Sequence, residues 1–382
     1  MSFKLLSQIL SQPTAPYREM HVQKLLTTTF DKHGVSYFSD PAGNIVVGVK
    51  NLEEYKLRLR QSSREPVRLF IAHTDHPGFH GDVWLGEKKL KIKWLGGSPT
   101  KHLKKSGMWV ASADGLASDA MLTEATLDKS KRFLAEGIVE FKNAETKNAF
   151  PDPIKLFGGF RFKAPVWTKG DLVYTKAADD LVGAYCISQL AIDLKTKQDQ
   201  SANFLGLLTR AEEVGFMGAI AHFELGWLGE ATRKVVCVSL EASRALPGAE
   251  IGKGPVVRLG DRATVFDAKA LQVLTQVAAT RLKGKHQRRL MDGGTCEATV
   301  ATAYGFPAIG ISIPLGNYHN QSFEGGPESK GPLGPAPEFV HKHDIKNMLK
   351  LCAAVMETGL NWETPWAERL ANFRKTHALA PL

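Results

Sequence analysis

Two adjacent acids, Glu212 and Glu213, follow the apolar run at residues 204–209 and precede Val214-Gly215. Side by side at the end of a buried strand, two carboxylates repel each other, and a positive centre would relieve that repulsion. In one common division of labour, one carboxylate binds a metal and the other moves a proton. Taken alone, the pair reads more readily as solvated acids at a helix start, which the macrodipole favours. The placement recurs, however. His73-Thr74-Asp75 closes the apolar run 67–72, and Asp179-Asp180 follows Lys176-Ala-Ala. Glu241 follows the run 234–240, and His319 follows the run 307–314. Singly, Asp179 reads as a helix cap, Glu241 as a surface acid and His319 as a loop histidine. Jointly, two histidines and several carboxylates sit where open α/β sheets gather ligands, outside the carboxyl ends of strands. That donor set suits a pair of divalent cations sharing a carboxylate.

The elements that must position these residues follow from periodicity. Residues 3–12 and 18–33 read as helices, and 45–49 and 67–72 as strands. From His80 to about Gly170 the segments become short and alternating, broken by Gly-Gly-Ser-Pro, Ala-Asp-Gly and Pro-Asp-Pro. After Asp171, helices are expected at 181–196, 216–228, 267–283 and 341–359. They alternate with strands at 202–209, 234–240 and 307–313. The fold class is therefore α/β: a mixed central sheet with helices on both faces, plus an inserted small β-rich domain. Residues 1–79 and 171–382 form the catalytic domain and 80–170 the insertion. Residues 325–337 are rich in Gly and Pro and read as a loop.

Composition narrows the classes. The 382 residues are 43% hydrophobic and 23% charged, ordinary for a globular protein. No run reaches the ~18 apolar residues of a membrane helix. The N-terminus reads as an amphipathic helix without a secretion signal, and the four cysteines show no CxxC spacing. A reduced, cytoplasmic setting is expected. The net charge is +10, and residues 80–170 hold 16 Lys and Arg against 10 Asp and Glu. The run 88–93 alternates Lys with apolar residues, as a half-buried strand does. No nucleic-acid-binding signature accompanies the basic runs, so neither nucleic acid nor membrane is expected as a partner.

In order and spacing, the ligand series resembles the M42 (glutamyl aminopeptidase, cellulase-like, "TET") family, within the larger group that includes the M20 and M28 metallopeptidases. The stretches that carry the resemblance are Ile71-Ala-His-Thr-Asp-His-Pro-Gly-Phe79, Lys176-Ala-Ala-Asp-Asp-Leu-Val-Gly183, Ala211-Glu-Glu-Val-Gly-Phe-Met-Gly-Ala219, Gly293-Gly-Thr295 and Ile313-Pro-Leu-Gly-Asn-Tyr-His319. The interval of 104 residues from Asp75 to Asp179 leaves room for the accessory domain that the M42 pattern places there. Only 28 residues separate Glu213 from Glu241, where M20 enzymes insert theirs.

The resemblance implies a dinuclear metallo-aminopeptidase. It assigns His73, Asp179 and Glu241 to one metal and Asp179, Glu213 and His319 to the other, with Asp179 bridging. Glu212 becomes the general base that activates a metal-bound water, and Asp75 the acid that orients His73. Two divalent ions are implied, Zn first, with Co or Mn as alternatives. Peptide substrates and a homo-oligomer, from dimer up to dodecamer, are implied as well. The chain departs from the family pattern at three places: Glu241 for Asp, Leu181 for Arg after the Asp pair, and Cys296 for Asp in Gly-Gly-Thr-Asp. The alternatives are an amidohydrolase of acylated amino acids and a catalytically weak binding or assembly protein of the same fold.

Overall fold

The computed structural model describes residues 3–197 and 201–377. Helix α1 (Phe3–Ser11) buries Leu5, Leu6, Ile9 and Leu10, one stripe of a 3.6-residue repeat. Helix α2 (Met20–His33) stops at Gly34, whose φ of 64° supplies the left-handed closing turn. Short strands β1 (Tyr37–Ser39) and β2 (Ile45–Val47) lead to α3 (Leu52–Arg60) and to β3 (Val67–His73). Every residue of β3 is buried, as a central strand covered on both faces requires.

The chain then leaves the sheet. Strands β4 (Gly78–Trp84), β5 (Lys89–Leu95), β6 (Ser106–Ser112), β7 (Gly115–Leu127), β8 (Leu134–Phe141) and β9 (Phe157–Phe160) close a barrel in the order β4-β5-β8-β7-β6-β9. A short helix α4 (Glu145–Ala149) lies between β8 and β9. The barrel has its own core, including Phe79, Ile92, Trp94 and Val139. In β5 the apolar Leu90, Ile92 and Trp94 point inward while Lys89 and Lys93 are exposed, as the alternation of the basic run predicts. Strands β10 (Val166–Lys169) and β11 (Leu172–Thr175) form a hairpin that brings the chain back.

Helix α5 (Leu181–Lys197) is buried along most of its length. It is followed by β12 (Phe204–Thr209), α6 (Met217–Glu224), β13 (Val235–Arg244), β14 (Val256–Asp261), α7 (Ala268–Leu282), β15 (Gln287–Met291), α8 (Glu297–Ala303) and β16 (Ala308–Leu315). Strand β17 (Glu338–His341) pairs with β11, and helices α9 (Lys342–Val355) and α10 (Ala367–Thr376) end the described chain. The central sheet runs β1-β2-β12-β3-β13-β16-β14-β15 and is mixed. Strands β12, β3, β13 and β16 lie parallel, and β14 pairs antiparallel with β16. Side chains of α1, α2, α5, α7 and α9 cover one face and those of α3, α6 and α8 the other. The expected α/β class is the observed one.

Some boundaries differ from the periodicity reading. The helix expected over 216–228 stops at Glu224, because Gly226 takes a positive φ of 72° and a 3-10 turn follows. The strand expected to end before Glu241 continues through it to Arg244, since β16 still pairs with it there. Strand β3 pairs with β13 only as far as Ser239, so Glu241 stands beyond the last β3 pairing, beside His73.

Candidate metal centre

Each candidate ligand lies at or just beyond a strand, and local hydrogen bonds fix each segment. Strands β3 and β12 end in register, His73 beside Thr209. The backbone N–H of Thr74 and its hydroxyl both donate to the carbonyl of Thr209, at 3.0 and 2.7 Å. Past β12 the backbone of Ala211 turns left-handed, with φ 51°. Buried Glu19 accepts from the N–H of Ala211 at 3.0 Å and from Arg210 Nε at 2.8 Å. This aims the N–H groups of Glu212 and Glu213 at Asp75, whose two carboxylate oxygens accept them at 3.0 and 3.1 Å. Asp75 Oδ1 also lies 3.5 Å from His73 Nδ1. Asp75 therefore holds the acid pair through its backbone and faces the imidazole from behind.

Glu338, which opens β17, has an equivalent position on the other side. Its Oε2 accepts from the N–H of Ala178 at 2.6 Å and of Asp179 at 3.2 Å, and its Oε1 from the N–H of His319 at 2.9 Å. One carboxylate thus fastens two ligand segments that are 140 residues apart in sequence.

With these segments fixed, the side chains converge. Ligand atoms of His73, Asp179 and Glu241 come within 4.8 Å of one another, as do those of Asp179, Glu213 and His319. A third grouping, His73, Glu212 and Glu213, meets the same limit. His73 Nε2 lies 3.6 Å from Asp179 Oδ1, and His319 Nε2 lies 3.6 Å from Asp179 Oδ2. Asp179 therefore faces both histidines. His319 Nε2 is also 3.1 Å from Glu213 Oε2, but that atom makes no hydrogen bond. Asp179 Oδ1, Glu213 Oε1 and Glu241 Oε1 are likewise buried without a hydrogen-bond partner. Buried polar atoms normally find partners, so four of them around shared points fit cations. The carboxylate and imidazole donors suit Zn, Co or Mn.

The electrostatics agree with a site built for positive charge. Burial raises the Glu212 carboxyl far above its usual range, and Glu213 and Glu241 add to this while His73 opposes it. Burial and Asp179 push Glu241 up to about 8, against the opposing Arg258. Burial resists charging His319, yet Glu213 and Asp179 outweigh it and raise the ring to about 10. Burial likewise opposes a charged His73, and Glu212, Asp179 and Asp75 overcome it. Burial would raise Asp179, but His319 and His73 hold it below the ordinary carboxylate value.

Several participants had no sequence signal of their own. Glu338 follows the Gly/Pro-rich stretch and looks like the end of a loop. Glu297, at the start of α8, is fully buried with both carboxylate oxygens unpartnered. Arg258 sits inside an apolar strand, only 2% exposed. Cys296, where the family pattern has Asp, is buried. Its N–H donates to Asp261 Oδ2 at 3.0 Å, so a carboxylate from β14 adjoins the substituted position. Leu181, in place of the family's Arg, is a core residue of α5.

A cleft of about 190 Å³ opens beside the centre. Its walls include Glu241 and His319, together with Arg132 and Phe133 from the barrel and Arg244 and Arg258 from the sheet.

The chain matches the family model for M42 glutamyl aminopeptidase over residues 56–323. No curated protein matches it by sequence. Among solved structures it is similar to the TET aminopeptidase of the marine sediment archaeon Thaumarchaeota archaeon SCGC AB-539-E09, with 18% identity and a TM-score of 0.73. That alignment covers 96% of this chain and 99% of the other. The aminopeptidase APDkam598 of Desulfurococcus kamchatkensis aligns at 20% identity and TM-score 0.73, over 94% and 95% of the two chains. The TET1 peptidase of Pyrococcus horikoshii, which can assemble into a tetrahedron or a large octahedral shell, aligns at 18% identity and TM-score 0.71, over 94% and 100%. At these identities the structural likeness is one of fold.

Proposed function

This chain belongs to the M42 glutamyl aminopeptidase family and is a metal-dependent aminopeptidase; we propose that two divalent cations, Zn foremost, serve it. One is held by His73, Asp179 and Glu241 and the other by Asp179, Glu213 and His319. The supporting observation is the convergence of five side chains from distant segments, three buried and two half-buried, around atoms that lack other partners. When bound, such cations polarise a scissile carbonyl and acidify water.

The chain's own residues do the rest. Glu212 takes a proton from the attacking water and returns it to the leaving amine. Its backbone is tied to Asp75, so the carboxylate is presented from a fixed turn. Asp75 also keeps His73 oriented, with Nε2 facing Asp179. Surplus carboxylate at the centre attracts the substrate's N-terminal ammonium. Buried Arg258, with an unpartnered Nε in the wall of the cleft, favours a first residue with an acidic side chain. The same arginine supports a second reading, hydrolysis of an acylated amino acid whose α-carboxylate it would bind.

The protein acts in the cytoplasm, in keeping with four buried cysteines that form no disulfide. It acts as a homo-oligomer, between dimer and dodecamer, assembled through the barrel. No helix among the described residues is long and apolar enough to cross a membrane.

Metal analysis of the purified protein, with turnover of aminoacyl chromogenic amides before and after adding Zn, Co or Mn, tests the reading. Glutamyl and alanyl amides should be cut and N-acetyl-glutamate should not. Hydrolysis of N-acetyl-glutamate alone would establish the second reading in its place.

A further inference from the structure

The cleft beside the metal centre carries its positive charge at two depths. Arg258 lies in the floor, inside β14 and almost wholly buried. Arg244, in the last position of β13, and Arg132, at the tip of the barrel hairpin between β7 and β8, are exposed at the mouth. Among the described residues no carboxylate forms an ion pair with either mouth arginine. Glu241 is the only acid among the lining residues, against three guanidinium groups.

The Arg244 side chain and the backbone that carries Arg132 are held in place, and neither guanidinium is neutralised. The Arg244 guanidinium lies 3.5 Å above the ring centroid of Phe323. The Arg132 tip is a compact turn in which Asp128 accepts from the backbone N–H groups of Ser130, Arg132 and Phe133, each at 2.9 Å. The next residue, Leu134, donates its N–H to Ser98 Oγ at 2.6 Å, tying the hairpin to the barrel segment beside His319. Phe133 and Phe323 add apolar wall on either side. One guanidinium stacked on an aromatic ring and a second carried on a fixed turn, neither ion-paired, make a recognition surface for a planar anion.

On the aminopeptidase reading, a peptide whose first side chain meets Arg258 in the floor extends its remaining residues towards the mouth. We propose that Arg132 and Arg244 form a second carboxylate subsite, which takes the C-terminal carboxylate of a short peptide on the far side of the scissile bond. An extended chain advances at most about 3.6 Å per residue. The terminal carboxylate of a dipeptide or tripeptide is therefore within one or two residues of the bond being cut, while a longer peptide presents a neutral amide there. The enzyme thus favours dipeptides and tripeptides with free C-termini. The inference rests on the aminopeptidase reading above.

The test holds the first residue constant. The metal-supplemented full-length protein is assayed on Ala-Ala and Ala-Ala-Ala as free acids and as C-terminal amides, with an alanyl chromogenic anilide alongside. The free acids should show kcat/KM roughly tenfold above the amides, the scale of one charge-assisted contact. In the double variant Arg132→Gln, Arg244→Gln the ratio should fall to near one. Arg132→Gln alone, at an exposed tip, should give an intermediate ratio and preserves the test if the double variant does not fold. Arg369→Gln, on the distant α10, should leave the ratio at its wild-type value. A wild-type ratio near one, or a ratio that survives both substitutions, overturns the subsite while anilide turnover still supports the aminopeptidase reading. Absence of turnover on every substrate overturns both.

Discussion

Gly97, from the barrel, lies directly against the imidazole of His319, from the sheet: a methyl carbon built on Gly97 would overlap Nδ1 of that ring. The neighbouring Gly96 packs tightly on Pro77 and Glu213, where an added methyl carbon would lie 3.1 and 3.3 Å from their Cβ atoms, and the carbonyl of Gly97 is held by Trp94 Nε1 at 2.9 Å. The inserted barrel therefore forms one wall of the candidate cation site.

Gly97→Ala should displace His319 without unfolding either part, since Gly97 does not use a positive φ. Loss of one well-oriented ligand or its support typically lowers metal affinity by 10–100-fold. Titration of the purified variant with Zn should show one site near wild-type affinity and one weakened. Two unchanged sites would refute the contact's importance.

Glu212→Gln should retain metal and lose roughly 10²–10⁴-fold in kcat, the worth of a general base. The amide keeps the side chain's shape but accepts no proton. If metal content falls with activity, Glu212 is a ligand, as the His73, Glu212 and Glu213 grouping permits.

Glu241→Ala should weaken one cation more than the other, because only the grouping with His73 and Asp179 contains it. Glu241→Asp should also bind that metal less well than the native chain. Glu241 lies past the last pairing with β3, and the longer arm spans the gap to His73. Equal occupancy of both sites in Glu241→Ala, measured by elemental analysis, would remove it from the ligand set.

The metal-free protein should lose stability as pH rises. Burial and neighbouring acids raise Glu241 and Glu338 from 4.5 to about 8 and Glu297 from 4.5 to about 7. An acid whose folded pKa is raised binds its proton more tightly when folded. Its stabilisation is complete below 4.5 and is lost as pH climbs through the folded value. The Tm of chelator-treated protein should fall between pH 5 and about 8, and the gain in Tm on adding Zn should grow over the same window. A flat metal-free profile would show that these acids do not control stability.

The candidate ligands were legible because all but Asp179 closely follow a strongly apolar run, and the alternation of strand and helix identified the α/β class. What escaped the sequence was support, not chemistry. Glu338 gave no signal because its partners are backbone N–H groups of residues 178, 179 and 319, which no local pattern connects. Arg258 was hidden in a run whose apolar neighbours define the strand, and only the fold shows the cleft it lines. Helix α3 was missed because only Tyr55 and Leu59 of its nine residues are buried, leaving charge to dominate its composition. Glu241 was located as a candidate, but its strand was ended too early. Only the pairing with β16 carries β13 onward to Arg244.

The grip of Glu338 on both Asp179 and His319 has a consequence for synthesis. Strand β17 begins at residue 338 of 382, so almost nine-tenths of the chain must be made before that carboxylate exists. Until β17 docks on β11, nothing joins the backbone N–H groups of Ala178 and Asp179 to that of His319. A chain truncated ahead of β17 carries every candidate ligand and keeps the Asn320 bond to the Lys176 carbonyl, at 3.0 Å, but lacks the carboxylate that holds both ligand segments by their N–H groups. The last of the chain's strands in sequence thus supplies a tie between two segments made much earlier.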